Sequence, residues 1–558
     1  MTNTNILNNL ISNDFDPEVQ FIFDKLFSDI PPTNWKKWLE ISSKEEYLSC
    51  VLKNSGLSTI PDIFERIIKE KTNSTKLSID IQEYLSEFHS SEPLIVCHSS
   101  GTTNNDLNSL KWLHMSKKIA KLYWAPGMQA IFESSGLNSD SSVVIFVPSR
   151  LNIDGLNTFE NKKYISLYSS EFSQRLMLSI LKPSNFTFFE YKFSKNINIV
   201  AKILSLNNVS VISAPAITIL GWADIEKFQI GLQKSIKDIN LESCSDPLLE
   251  NLLLKIKKKG IETAAKEIQK MLSNKLSHSV IVFSISSLSL RDWDLIRRFM
   301  KWEKGNEKFT NLYVASEAGP FAASIDKDSK NRSHSDDLII FPLTLPVLEY
   351  EGEKKFISES KNKIGKLLIS RINNNNAFIN LDIGDIIQLT NQQALPQING
   401  KILRSEFQLK YPIKMNENLT LKGNYTVYAG DYFNFDTFEI YDPRTLINCL
   451  KIGCKSDYDS LLLIESEEDI NKTWKLVLNS DSTGDCSNLE ICKQTLLNCI
   501  KDKDFRDILT NGEMEIQLIE ENPVDFLKTR PEVLDKVRSG KNPKGILKKW
   551  PLYVIKWS

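Results

Sequence analysis

The feature that most constrains this chain is a series of short, unbroken apolar runs between residues 93 and 320, separated by helix-length stretches. The runs are Leu94 to Cys97, Val143 to Val147, Val209 to Ile212, Val280 to Phe283 and Leu312 to Val314. Strands that are apolar on both faces must be covered on both faces, so the runs predict an α/β fold of mainly parallel sheets flanked by helices. Ligands of such sheets gather just past the carboxyl ends of the strands, and functional residues are sought there.

The flanking segments have different periods. Asp16-Pro17 supplies a cap and a first-turn proline, after which Val19, Ile22, Phe23, Leu26 and Phe27 share one helical face up to Pro31-Pro32. Ser43 and Glu46 form a capping box ahead of Tyr47, Val51 and Leu52. From 338 to 400 the pattern is of strands alone, at Leu338 to Phe341, Val347 to Tyr350, Lys355 to Ile357, Ile364 to Ile369 and Ile386 to Leu389, which predicts a small antiparallel sheet or barrel. Beyond 405 a mixed pattern resumes and ends in a lysine-rich tail. The expected organisation is a large N-terminal domain, 1–405, with a helical start (1–90), two helix-covered, mainly parallel sheets (91–335) and a β-rich part or small barrel (336–405). A smaller, mobile α+β lid follows at 406–558. The basic cluster Lys255, Lys257, Lys258 and Lys259 is interleaved with Leu252, Leu253, Leu254 and Ile256 and reads as a solvated helix face.

At 558 residues and 41% hydrophobic side chains the chain is too long for one core. With 69 Lys+Arg against 70 Asp+Glu, a formal charge of -1, it offers no general field to attract nucleic acid. The apolar runs fall far short of the roughly 18 to 20 residues of a membrane span. Met1 to Asn13 has neither Lys nor Arg nor an apolar stretch, so a secretory or transit leader is not expected and a cytoplasmic protein is. Its 8 cysteines include no CxxC, and neither Cys449/Cys454 nor Cys492/Cys499 has histidine partners at zinc-like spacing. Reduced, mostly buried thiols are the expectation. Only 5 His are present, without HExxH, which argues against a His-built metal site.

The most informative segment is Leu94-Ile95-Val96-Cys97-His98-Ser99-Ser100-Gly101-Thr102-Thr103. A buried strand running into hydroxyl residues around a glycine can offer backbone N–H and side-chain O–H donors to phosphate oxygens. Taken alone it reads first as a plain turn, because Ser/Thr/Gly loops follow strands everywhere. GxxxxGK[ST] and GxGxxG are both absent.

Ser99-Ser100-Gly101-Thr102-Thr103 resembles the phosphate-loop signature of the AMP-forming adenylate synthetases, the superfamily of acyl-CoA synthetases, luciferases and peptide-synthetase adenylation domains. That signature continues with Gly, any residue, Pro and Lys; here Asn104 stands at the glycine, no proline follows, and the next lysine is Lys111. Asn tolerates positive φ best among the other residues, so the turn can persist. Leu312-Tyr313-Val314-Ala315-Ser316-Glu317 resembles the family's Tyr-Gly-x-Thr-Glu segment, which implies that Tyr313 stacks on adenine, Ser316 meets the α-phosphate and Glu317 holds magnesium. Asn380-Leu381-Asp382-Ile383-Gly384-Asp385 is similar to the family's Thr-Gly-Asp, giving Asp385 the ribose hydroxyls. Lys536-Val537-Arg538-Ser539-Gly540-Lys541 resembles Lys-Thr-x-Ser-Gly-Lys, whose last lysine is catalytic, and so points to Lys541. Gly400-Lys401 could stand for the Gly-Arg that opens the family's hinge, which adds Lys401 to the nucleotide-binding set. The glycine pair expected after the Val280-to-Phe283 strand is replaced by Ser284-Ile285-Ser286-Ser287.

The four segments occur in family order, and the phenylacetate-CoA ligase-like and acyl-protein synthetase-like branches are the nearest. What the resemblance implies is an ATP- and Mg²⁺-dependent enzyme that converts a small carboxylic acid to its acyl-adenylate, releases pyrophosphate, and transfers the acyl group to a nucleophile, CoA being the usual acceptor. An amine or protein acceptor, and an inactive adenylate-fold protein that only binds a nucleotide or a partner, stay open as alternatives. For the acid pocket the sequence offers Trp124, Ser213-Ala214-Pro215 and Ala318-Gly319.

Overall fold

The first described helix forms where its cap and period require. In a computed structural model of the chain, Asp16 Oδ1 accepts hydrogen bonds from the backbone N–H of Glu18 (2.9 Å) and Val19 (3.3 Å), and α1 spans Pro17–Phe27. Its face of Val19, Phe23 and Phe27 is buried, as are Tyr47 and Val51 of α2 (Lys44–Ser55). The structure describes residues 16–30, 44–55, 93–98, 112–138, 140–148, 150, 153–237, 246–284, 290–303, 305–324, 337–361, 363–371, 378–389, 397–402, 405–409, 413–414, 420–421, 425–430, 433–434, 438–440, 443–454, 460–465, 474–479, 489–500, 503–519 and 551–557.

Each apolar run named from the sequence is a strand. In chain order come β1 (Leu94–His98), β2 (Trp112–His114), a π-helical turn (Ala120–Trp124) leading into α3 (Ala125–Ser135), β3 (Ser142–Val147), β4 (Gly155–Phe159), β5 (Lys162–Tyr168) and α4 (Ser169–Leu181). These are followed by β6 (Asn185–Glu190), α5 (Ile197–Ser205), β7 (Val209–Ser213), α6 (Ala216–Ala223), α7 (Ile225–Ile236), α8 (Pro247–Lys259), α9 (Ile261–Leu276), β8 (Val280–Ser284), α10 (Leu290–Met300) and β9 (Phe309–Ala315). Neighbours in the order β9-β8-β7-β3-β6 pair in parallel. Along β3, Val143, Ile145 and Val147 enter one hydrophobic core while Val144 and Phe146 enter another, which is why the run is unbroken rather than alternating. The lysine cluster lies on α8, where Lys255 and Lys259 both pair with Glu267 of α9. A separate sheet, ordered β2-β1-β5-β4, is mixed, with β1 and β5 as its parallel pair.

After β9 the chain runs antiparallel through β10 (Gly319–Ala323), β11 (Asp337–Ile340), β12 (Thr344–Tyr350), β13 (Glu353–Phe356), β14 (Ile364–Arg371), β15 (Phe378–Leu389) and β16 (Gln397–Ile402). A small barrel was one expectation for this stretch. Among the described residues these strands instead extend the parallel ones edge to edge, giving a 12-stranded order of β13-β12-β14-β15-β16-β11-β10-β9-β8-β7-β3-β6. Helices α3 and α4 share a core with the inner faces of both sheets: Met128, Phe172 and Leu176 join Ile95 and Ile165 on one side and Ile145 and Phe321 on the other.

From Ser405 onward the strands β17 (Ser405–Leu409), β18 (Tyr425–Gly430), β19 (Leu461–Glu465), β20 (Trp474–Asn479), β21 (Met514–Ile519) and β22 (Leu552–Trp557) form a six-stranded mixed sheet ordered β17-β18-β22-β19-β20-β21. Among the described residues three helices accompany it, α11 (Pro443–Cys454), α12 (Leu489–Cys499) and α13 (Lys503–Asn511). Their core contains Leu450, Leu463, Leu476, Leu496, Leu509 and Val554. The thiols depart from expectation here, because Cys449 and Cys499 form a disulfide between α11 and α12. The two helices approach closely enough that a Cβ at Gly453 would stand 2.6 Å from the Thr495 side chain, which brings the two sulfurs within bonding reach. Cys50, Cys97 and Cys492 are not disulfide-bonded, as expected.

Candidate functional site

The site is built on the turn between β9 and β10. Tyr313 comes near the end of β9, where its ring is buried against Phe321 at 4.3 Å between centroids. Ser316, Glu317 and Ala318 make the turn, closed by Ala318 N–H donating to Ala315 O at 3.1 Å. Gly319 then takes φ +70°, a conformation that a side chain would strain. Ser316 and Glu317 are half-buried at the carboxyl end of a parallel strand.

Asp385 reaches this turn through an irregularity in β15. Lys366 pairs with Ile386 and Leu368 with Asp382, so Leu367 alone stands opposite Ile383-Gly384-Asp385. A bulge of this kind bends a strand and re-aims a side chain. The Tyr313 hydroxyl donates to Asp385 Oδ2 at 2.9 Å, across 72 residues of sequence. Two segments named independently from the sequence are thereby joined.

The carboxyl ends of β1 and β5 converge on the same turn. His98, the last residue of β1, lies opposite Tyr168 in the parallel register and packs on its ring at 4.2 Å. His98 Nε2 is 2.7 Å from Asp154 Oδ1, both side chains being fully buried. Tyr168 is followed by Ser169, the first residue of α4, whose hydroxyl lies 2.8 Å from that of Ser316. Ser99, Ser100, Gly101, Thr102 and Thr103 follow His98 directly in sequence and lie outside the described residues, as does Lys541. Lys401 lies on β16 in register with Gln388 of β15, and its side chain is outside the description.

The third wall is aromatic. A Cβ on Gly319 would stand 2.9 Å from Trp124 Nε1, so the indole occupies the space that the glycine leaves open. Arg371, fully buried at the end of β14, donates from Nη1 to Tyr123 O at 3.1 Å and from Nη2 to Pro320 O. It thereby ties the π-helical turn carrying Trp124 to the strand that Gly319 begins. Burial pulls the Arg371 guanidinium down to about 9, partly offset by the nearby Tyr123 and Tyr47 phenols. Arginine nevertheless stays protonated at neutral pH, so this shift expresses the cost of burying the cation. Of the other wall positions, Ser213 is buried and accepts from Gln174 Nε2 at 2.6 Å.

Sequence reasoning missed Ser169, Asp154 and Arg371. His98 stood in the most informative segment without being assigned a role. None of the missed residues sits in a motif, and their partners lie 56, 147 and 248 residues away in sequence.

No family model matches the chain, and no curated protein matches it. Solved structures do. The amide bond synthetase McbA from Marinactinospora thermotolerans has a TM-score of 0.36 and 9% identity over 77% of this chain and 68% of that one. Fatty acyl-adenylate ligases from E. coli and L. pneumophila give 0.36 and 10% over 77% and 68%. The acyl acid amido synthetase GH3.15 gives 0.35 and 11% over 98% of this chain and 97% of that one. At these scores the likeness carries no chemistry to this chain.

Proposed function

We propose that this chain is a ligase that joins a carboxylic acid to the AMP part of ATP, releases pyrophosphate, and passes the acyl group to a nucleophile, with the CoA thiol as the first acceptor to test. The observation that carries the reading is the 2.9 Å hydrogen bond from Tyr313 to Asp385, two residues that the family resemblance assigns to one nucleotide from segments far apart in sequence. The 2.8 Å contact of Ser316 with Ser169, beside the end of β1, supports it further, since the hydroxyl-rich segment 99–103 continues from that strand.

In the proposed reaction a carboxylate oxygen attacks the α-phosphorus, the bond to the pyrophosphate oxygen breaks, and repulsion between two anions is the main barrier. The Asp385 carboxylate would accept the ribose hydroxyls while the Tyr313 hydroxyl fixes one of its oxygens. The Ser316 hydroxyl would donate to an α-phosphate oxygen, and residues 99–103 to the outer phosphates. Lys541, with Lys401 near the opening of the second domain, would bring positive charge to the phosphates. Among the described residues no group of three His, Cys, Asp or Glu side chains could hold a metal unaided. Mg²⁺ commonly takes one or two protein carboxylates and completes its shell with substrate phosphates and water. The half-buried Glu317 fits as that carboxylate, and the bound ion would neutralise phosphate charge. We place the domain division near residue 405, where β16 ends and the six-stranded sheet begins.

The test is acid-dependent exchange between ATP and pyrophosphate across a panel of carboxylic acids, with thermal melting in ATP and Mg²⁺ alongside. Exchange with at least one acid supports the ligase. Melting shifts without exchange would leave a nucleotide-binding protein, and no effect in either assay would overturn the proposal.

A further inference from the structure

We infer that Ser169 is a positioning residue that orients the Ser316 hydroxyl toward an anionic phosphate oxygen. This deepens the nucleotide reading above and rests on it. The hydroxyls are 2.8 Å apart across 147 residues of sequence, a distance at which one donates to the other. Each hydroxyl carries one hydrogen and two lone pairs. If Ser169 donates, the hydrogen of Ser316 is left for a third group, and chained hydrogen bonds strengthen one another when the last acceptor is charged. An anion beside Ser316 selects that direction over the reverse. The pair then acts as one donor reaching a phosphate.

Ser169 is well fixed for this task. It begins α4 immediately after the buried end of β5, where Tyr168 packs on His98 and His98 is held by Asp154. One turn further, Phe172 packs edge-on against Trp124 at 5.0 Å and at a tilt against Phe23 at 5.5 Å. Glu171 is bound by Arg150 and by Arg175 Nε, the latter at 2.8 Å. Ser316, by contrast, sits in the turn between β9 and β10.

The experiment is calorimetric binding of two probes, ATP with Mg²⁺ and adenosine, to the full chain and to Ser169→Ala, Ser169→Thr, Ser316→Ala and the double alanine variant. Losing one net hydrogen bond predicts that Ser169→Ala weakens ATP by about 3- to 10-fold. Adenosine, which has no phosphate, should bind unchanged. Ser169→Thr keeps the hydroxyl and should stay within about twofold of the wild type, and the double variant should match Ser316→Ala alone. The inference is overturned if Ser169→Ala leaves ATP affinity unchanged or weakens both probes alike, the mark of a purely structural role. It is overturned equally if the two alanine effects multiply independently, since Ser169 would then act without Ser316. A wild-type chain that binds neither probe would remove the nucleotide site itself, and this inference with it.

Discussion

At the scale of single residues, Tyr313 and Asp385 form the contact most open to test. A hydrogen bond to a carboxylate contributes about 1.5–3 kcal/mol, more than one between neutral groups. Tyr313→Phe keeps the ring against Phe321 and removes only that donor, so ATP affinity should fall by about 10-fold or more if Asp385 binds ribose, as calorimetry can read. Adenosine should weaken in parallel, because this contact serves the ribose and not the phosphates; loss confined to ATP would contradict the assignment. A second prediction concerns pH. Burial holds the His114 imidazole below its ordinary value, which favours the neutral form in the folded chain. As pH falls through about 6.5 the unfolded chain therefore takes up this proton first, and stability drops until the folded value is passed. Urea unfolding between about pH 5 and 7 should show a shallower slope in His114→Gln, and an unchanged slope would exclude His114 as its source. Tyr313 and Asp385 could be named from sequence because each carries its neighbours with it. Asp154, Ser169 and Arg371 could not, because what they touch lies 56, 147 and 248 residues away in sequence.

Among the elements, the apolar runs announced β1, β3, β7, β8 and β9 because both faces of those strands are buried, leaving no polar alternation to blur them. The bulge that aims Asp385 has no such signature, since an inserted residue is defined only against the partner strand. The turn after β9 yields a sharper prediction. Gly319→Ala adds a methyl 2.9 Å from Trp124 Nε1 at φ +70°, and left-handed strain with overpacking should cost about 2–4 kcal/mol in denaturant unfolding. In a Trp124→Phe background the overpacking part should largely vanish; an equal cost in both backgrounds would mean that the backbone alone is strained. The disulfide between α11 and α12 was equally illegible, because Cys449 and Cys499 stand 50 residues apart and only helix packing brings them together. In unreduced, unfolded protein, alkylation should spare these two cysteines and label Cys50, Cys97 and Cys492. Labelling at Cys449 would refute the bond. Disulfides persist mainly in oxidising compartments, so their detection in the native protein would also bear on the cytoplasmic expectation.

Over the whole molecule, the proposal requires two parts that cooperate in one half-reaction and separate in the other. In that proposal the first part would supply Tyr313, Ser316, Glu317 and Asp385, and the part beyond 405 would supply Lys541. An ammonium group delivered from a second part can neutralise charge as the acid meets the α-phosphate, then leave so that an acceptor can approach the acyl-adenylate. Removing one preorganised charge contact typically costs on the order of a hundredfold or more in rate. Lys541→Ala should therefore nearly abolish ATP/pyrophosphate exchange with the acid that supports it. The same variant, given that acid's adenylate made chemically together with the acceptor, should still complete transfer at close to the wild-type rate. Lys544→Ala, three residues along the same basic tail, is the control and should retain exchange. Loss of exchange in Lys544→Ala with retention in Lys541→Ala would move the assignment along the tail. Equal loss of both half-reactions in Lys541→Ala would mean that the lysine holds the fold or the nucleotide, and that the parts do not alternate.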